Sequence, residues 1–288
     1  MALPIVPSDA GLLALQAGVV AAPRMLDPRW ASRLRRLRGR GWAVVPIASI
    51  VGVIFLIRYA SGTASWLTYL ALIAVPLLSV AALGWLAHGS RPWLALLVAP
   101  LFVLAWQLPH SLEGEAAAAL LSGLSCVTLG VLLAAVTPGS WLKAGIVAMA
   151  CADIWLVSSN LLEAPNNELV AAAPGGGLPQ LQSEQFGTIT MGYGDLFVAA
   201  LLGGVFAERP RLQWTAASIT FVLACLFDLL FFVVDNLPAT VPVAGALLIA
   251  EIGSRRGRCE RRPTELPTDR PLVRVTTRRR WRAGLFRQ

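Results

Sequence analysis

The sequence predicts an all-α, polytopic membrane protein with eight to nine transmembrane helices, on three observations. Of its 288 residues, 56% are hydrophobic and only 14% are charged, which is the composition of a multi-span helical chain. Long apolar runs repeat from residue 42 to residue 252. The net charge of +8 is concentrated in two end segments, where basic residues act as determinants of membrane topology.

Residues 10–23 (AGLLALQAGVVAAP) form an apolar run that is short for a span and is interrupted by Gln16. No basic residue precedes this run and no convincing cleavage site follows it, which argues against a removable signal peptide. The segment 24–40 is basic, with Arg33, Arg35, Arg36 and Arg38 crowded together. Eight longer runs follow at 42–57, 66–87, 93–108, 116–136, 141–163, 186–207, 214–235 and 237–252. Trp42, Trp66, Trp93, Trp141 and Trp214 each stand at the opening of a run, the position of interfacial aromatics. The last two runs meet at Pro238, which cannot continue a helix without strain.

The positive-inside rule orients these runs. With segment 24–40 in the cytoplasm, the inner loops carry Arg91, Lys143, Arg209 and Arg211, and the outer loops carry Glu113, Glu115, Glu163, Glu168 and Glu184. An even number of spans returns the basic tail to the cytoplasm. If 10–23 also crosses, the count is nine and the N-terminus lies outside. The chain thus divides into 1–41, a short apolar helix and basic segment; 42–136, N-terminal spans; 137–252, the spans carrying the candidate chemistry; and 253–288, a basic cytoplasmic tail. The tail has the composition of a disordered segment lying against anionic headgroups. Its aromatics are Trp281 and Phe286 alone, too few for a nucleic-acid surface. The loop 164–185 is external and rich in Gly and Pro, and reads as a flexible connection or gate.

Four cysteines lack metal-ligand spacing or a disulfide pattern, and Cys126, Cys151 and Cys225 read as small buried residues of apolar spans. His88 and His110 flank spans and have no partner by spacing. Neither a metal nor a cofactor is implied.

The candidate chemistry lies in acids within the spans, which mark function by default. Asp153 is ten residues from Lys143 at the inner end of its run, and Asp195 is thirteen from Glu208. At about 1.5 Å per residue their depths differ by only about 5 Å, so neighbouring antiparallel helices bring them face to face. Two carboxyl groups in a dry site share a proton, and the pair can activate water and protonate a peptide carbonyl. Asp228, nearer the outer face, is a reserve candidate. Gly192 and Gly194, flanking Tyr193, free the backbone to pair with an extended substrate. Pro238-Ala239-Thr240-Val241-Pro242 reads as an irregular wall of the same cavity.

This set resembles the GxGD intramembrane aspartyl proteases of the signal peptide peptidase and presenilin family. Asp153, Gly192-Tyr193-Gly194-Asp195 and Pro238-Ala239-Thr240 occur in that family's order, across about 140–252. Counting 10–23 as the first span makes the numbering of spans agree. Ala152 stands where the family usually has Tyr, Tyr193 where it has Leu, and Thr240 where Pro-Ala-Leu ends. The resemblance implies a catalytic pair of Asp153 and Asp195. It also implies substrates that are type II-oriented transmembrane helices or remnant signal peptides within the lipid bilayer, and it leaves the oligomeric state open. Prepilin peptidases also share Gly-X-Gly-Asp, but Phe197 stands where theirs carries Lys. From another class, TITMGYGD is similar to a potassium-channel filter, although the residues between Asp195 and Glu208 give only about 18 Å of helix. A silent scaffold or a transporter is the remaining alternative.

Overall fold

The computed structural model describes residues 7–46, 48, 52, 63–109, 111–159, 174–181, 183–186, 189–232 and 237–260. It is mostly helical (83%), with nine α-helices among the described residues. In chain order these are α1 (Pro7–Ala21), α2 (Pro28–Leu34), α3 (Thr63–Ala81, continuing as a π-turn over Ala82–Leu86), α4 (Val98–Gln107, preceded by a 3-10 turn over Pro92–Leu97), α5 (Leu112–Val136) and α6 (Gly139–Ser158). Strands β1 (Ser183–Phe186) and β2 (Ile189–Gly192) precede α7 (Tyr193–Phe206), α8 (Pro210–Asp228) and α9 (Thr240–Glu260).

Local chemistry sets the ends. Ser111 caps α5, its hydroxyl accepting from the Gly114 N–H at 3.1 Å, and Glu113 and Glu115 occupy the first turn, where the helix dipole favours acids. Pro138 separates α5 from α6, and Pro210 opens α8 at a position where its missing N–H costs nothing.

The core is built around α7, which packs against α1, α5, α6, α8 and α9. Leu196, Val198, Ala199, Ala200, Leu201, Leu202 and Phe206 are each at most 2% exposed, so no face of this helix is turned outward. Its neighbours approach to backbone distance. A Cβ on Gly203 would lie 2.3 Å from the Val20 carbonyl oxygen of α1, and one on Gly130 would lie 2.6 Å from the Ala200 carbonyl oxygen of α7. Small residues at such crossings allow helices to pack by close contact where lipid supplies no hydrophobic drive.

Three helices are long and apolar enough to cross a membrane, at Ser65–Leu86, Leu112–Val136 and Gly139–Ser158. On the first, Leu70, Ile73 and Leu77 form an outward apolar stripe at helical spacing. The runs at 10–21, 92–107 and 193–206 are apolar helices below that length. The predicted span 42–57 lies largely outside the described residues, as does His110.

Three expectations are corrected. The run 186–207 is not one helix. Residues 183–192 form an antiparallel pair in which Ser183 faces Gly192 and Phe186 faces Ile189, and the helix starts only at Tyr193. The end of the 164–185 loop is accordingly anchored by strand pairing and by Leu181, which is fully buried. Cys151 is exposed, because the face of α6 that also bears Ile154 and Trp155 turns outward. By contrast, the short run 10–23 belongs to the packed core. It forms most of α1, with Leu12, Gln16, Val19 and Val20 buried among α5, α7 and α8.

The close crossing at Gly203 gives a test. Gly203→Ala should destabilise the protein by about 1–3 kcal/mol through overpacking, despite the better helix propensity of alanine. Gly18→Ala on α1, where an added Cβ meets nothing within 4 Å, should be neutral or stabilising. Thermal unfolding in detergent distinguishes the two.

Candidate functional site

Asp153 lies in the C-terminal half of α6. Its Oδ2 accepts from the Thr240 hydroxyl at 2.6 Å and from the Thr240 backbone N–H at 3.4 Å. Thr240 is the first residue of α9. Pro238 halts the preceding chain, its carbonyl accepts from the Val241 N–H at 3.2 Å, and the buried Pro242 sits in the first turn, where no amide donor is required. Further along the same two helices, Lys143 Nζ lies 2.6 Å from Glu251 Oε2, with Arg255 at 3.9 Å from the other carboxylate oxygen. Helices α6 and α9 are therefore joined at two points along their length.

Asp195 occupies the third position of α7. Its Oδ2 accepts from the Gly192 N–H at 3.1 Å, the N3 half of a capping box. This corrects the reading of an acid stranded in the middle of a span. The carboxyl group sits where a strand becomes a helix, at the positive end of the helix dipole. Gly192 is extended, as the last residue of β2 and the N-cap of α7. A Cβ there would come within 3.2 Å of the Asp195 carboxyl oxygen, whereas Gly194 has open space around it.

Tyr193 fastens this corner to α5. Its phenol lies 2.7 Å from the Ser125 hydroxyl, which itself donates to the Ser122 carbonyl at 2.7 Å, so Tyr193 supplies the hydrogen. Ser122 in turn donates to the Leu181 carbonyl at 3.2 Å, tying in the segment before β1.

The predicted residues thus converge from three elements. The helix of Asp153, α6, packs against α7, the helix of Asp195, and both pack against α9, the helix of Thr240. Asp153 also holds Thr240. Asp228 is buried as the last residue of α8, one turn after Cys225. Among the described residues, no group of three or more His, Cys, Asp and Glu side chains has the arrangement of a metal site.

Sequence reasoning missed two buried amides. Gln16 of α1 donates to the Ala239 carbonyl at 3.0 Å, reaching the Pro-Ala-Thr turn from across the fold. Gln213 of α8 donates to the carbonyls of Val20, Ala21 and Pro23 at 3.0, 3.3 and 2.8 Å, and so caps the end of α1. Its Oε1 lies 3.3 Å from His88 Nε2, giving that histidine a partner remote in sequence. The available signal was the presence of an amide inside an apolar run, since a buried polar side chain requires a partner.

Chemically, the site offers two carboxyl groups on packed helices, one oriented by a hydroxyl and the other by a backbone amide. Comparison with protein-family profiles, curated proteins and solved structures gave no match.

The Thr240 contact is separable from its surroundings. Thr240→Val should cost about 1–3 kcal/mol by leaving a partly buried carboxyl group without its hydroxyl donor, while Thr240→Ser should cost little. Unfolding midpoints of the two variants check this.

Proposed function

We propose that the chain is an intramembrane aspartyl endopeptidase that uses Asp153 and Asp195 as a water-activating pair. One observation carries the reading. Two acids from separate apolar helices lie on elements that pack against each other, Asp153 bonded to Thr240 of the Pro-Ala-Thr turn and Asp195 to Gly192 at the end of a strand.

In this mechanism the two carboxyl groups share one proton. The ionised member takes a proton from water as the oxygen attacks the scissile carbonyl, and the protonated member donates to the carbonyl oxygen. Collapse of the tetrahedral species transfers a proton to the departing amine and returns the pair to its starting state. The pair titrates as a unit, so neither role belongs to one residue alone. Thr240 fixes the orientation of Asp153, and Gly192 fixes that of Asp195.

A helical substrate must unwind before its carbonyl can be attacked, because its backbone is already hydrogen-bonded to itself. β2 supports this step. It ends three residues before Asp195, and β1 occupies one of its edges. An extended substrate laid along the other edge would replace its helical hydrogen bonds with strand pairing. Gly192, Tyr193 and Gly194 on one side, and Pro238, Ala239, Thr240 and Pro242 on the other, form the walls.

The proposal includes a multi-pass integral membrane protein of eight to nine spans, placed in the cytoplasmic membrane with its basic C-terminal tail inside. Helices that fall short of a full span cross within the bundle. Under that orientation the substrates are type II transmembrane segments or remnant signal peptides. The channel reading has less support. Tyr193 and Gly194 belong to the first turn of α7, so their carbonyls run along a helix axis rather than lining an ion path.

Asp153→Asn and Asp195→Asn should each reduce cleavage of a type II model peptide in detergent by at least about a thousandfold, within the range for loss of a general acid or base. The unfolding midpoint should remain close to that of the parent chain. Undiminished turnover by both variants overturns the reading. Barium-sensitive ion flux in reconstituted vesicles would establish the channel instead.

A further inference from the structure

We propose that Gln16 is a positioning residue for the Asp153 carboxyl group, so that the N-terminal helix is a component of the active site. This rests on the endopeptidase reading above for its kinetic consequences, and on the structure alone for its mechanical one.

A line of contacts joins Gln16 to Asp153. Gln16 is 1% exposed, in the middle of a helix whose other inward residues are apolar. A primary amide in that setting is costly unless it is bonded. Its Nε2 donates to the Ala239 carbonyl at 3.0 Å, a contact spanning 223 positions. Ala239 is the single residue between Pro238 and Thr240, and Thr240 directs both its hydroxyl and its N–H at Asp153 Oδ2. Pro238 and Pro242 have no N–H and cannot anchor this turn through one of their own. The amide from α1 is therefore a fixed point for the turn that carries Thr240.

The position of α1 is itself fixed at its other end. Gln213 donates to the carbonyls of Val20, Ala21 and Pro23, and Gly203 lets α7 press against Val20. Gln213 bonds to the end of α1 and lies 3.3 Å from His88, whereas Gln16 bonds to the Pro-Ala-Thr turn. The two glutamines therefore have separable roles. Gln213 secures the helix, and Gln16 transmits its position to the site.

The test uses the full-length chain in detergent and compares Gln16→Met, Gln16→Glu and Gln213→Met. Amide hydrogen exchange of the peptide spanning Leu237–Val243 should accelerate by roughly tenfold in Gln16→Met, the order of one lost hydrogen bond, and stay at the parent rate in Gln213→Met. On a cleavable peptide, Gln16→Met should lower kcat by roughly tenfold, leave KM near the parent value and displace the pH–rate profile. Gln213→Met should lower the unfolding midpoint without moving that profile. In Gln16→Glu, the introduced carboxyl can donate to Ala239 only when protonated, so activity relative to the parent should recover as pH falls. Unchanged exchange over Leu237–Val243 in Gln16→Met overturns the positioning role whether or not the chain cleaves anything. An unmoved pH profile with a lowered midpoint reduces Gln16 to a packing residue. Altered exchange in a parent chain that cleaves no peptide upholds the brace and removes the endopeptidase reading.

Discussion

The burial of α7 on every side is the constraint from which the rest of the arrangement follows. A helix surrounded by five others must admit its neighbours at backbone distance, and Gly203, Gly130 and Gly204 make this possible against α1 and α5. Bulk at these crossings would push α1 and α5 outward. The Tyr193–Ser125 contact would then separate, and with it the corner where β2 becomes α7. The polar chemistry at one end of α7 is thus held by apolar packing along its length, and packing is what aligns helices where lipid competes equally for apolar surface.

The site has a division of labour that follows from its surroundings. Asp195 is oriented by its own backbone, through the Gly192 amide and the start of the helix. Asp153 lies within a continuous helix, where the backbone has no spare donors. It must be oriented by another element, which is Thr240. The two acids are therefore held by unrelated means, one local and one long-range. Loss of the Thr240 contact releases only one of them.

Much of this was legible from residue types. Asp153 and Asp195 stood out because acids are rare in apolar runs. The Pro-Ala-Thr turn was readable because two prolines four apart deny the chain ordinary helix hydrogen bonds. The boundary at Gly192 was not readable. Ile189, Thr190 and Met191 are as apolar as a helix of this class requires, and hydropathy does not separate strand from helix in so short a run. Here β-branched residues and glycine decided the outcome together with pairing to Ser183–Phe186. Gln16 was read as an interruption because its partner lies 223 positions away, and no local pattern reports a contact of that range.

The ion pair between Lys143 and Glu251 has a mechanical meaning. Ten residues of α6 separate Lys143 from Asp153 and eleven of α9 separate Glu251 from Thr240, giving two levers of about 15 Å pinned at a common fulcrum. Splaying these levers by about 10° moves their far tips apart by roughly 2–3 Å, the full length of an ordinary hydrogen bond. The hydroxyl–carboxylate contact at the tips is thus a vernier on the angle between two helices. A guest segment wedged between them would register as a turn of the Asp153 carboxyl group long before it disturbed the bundle.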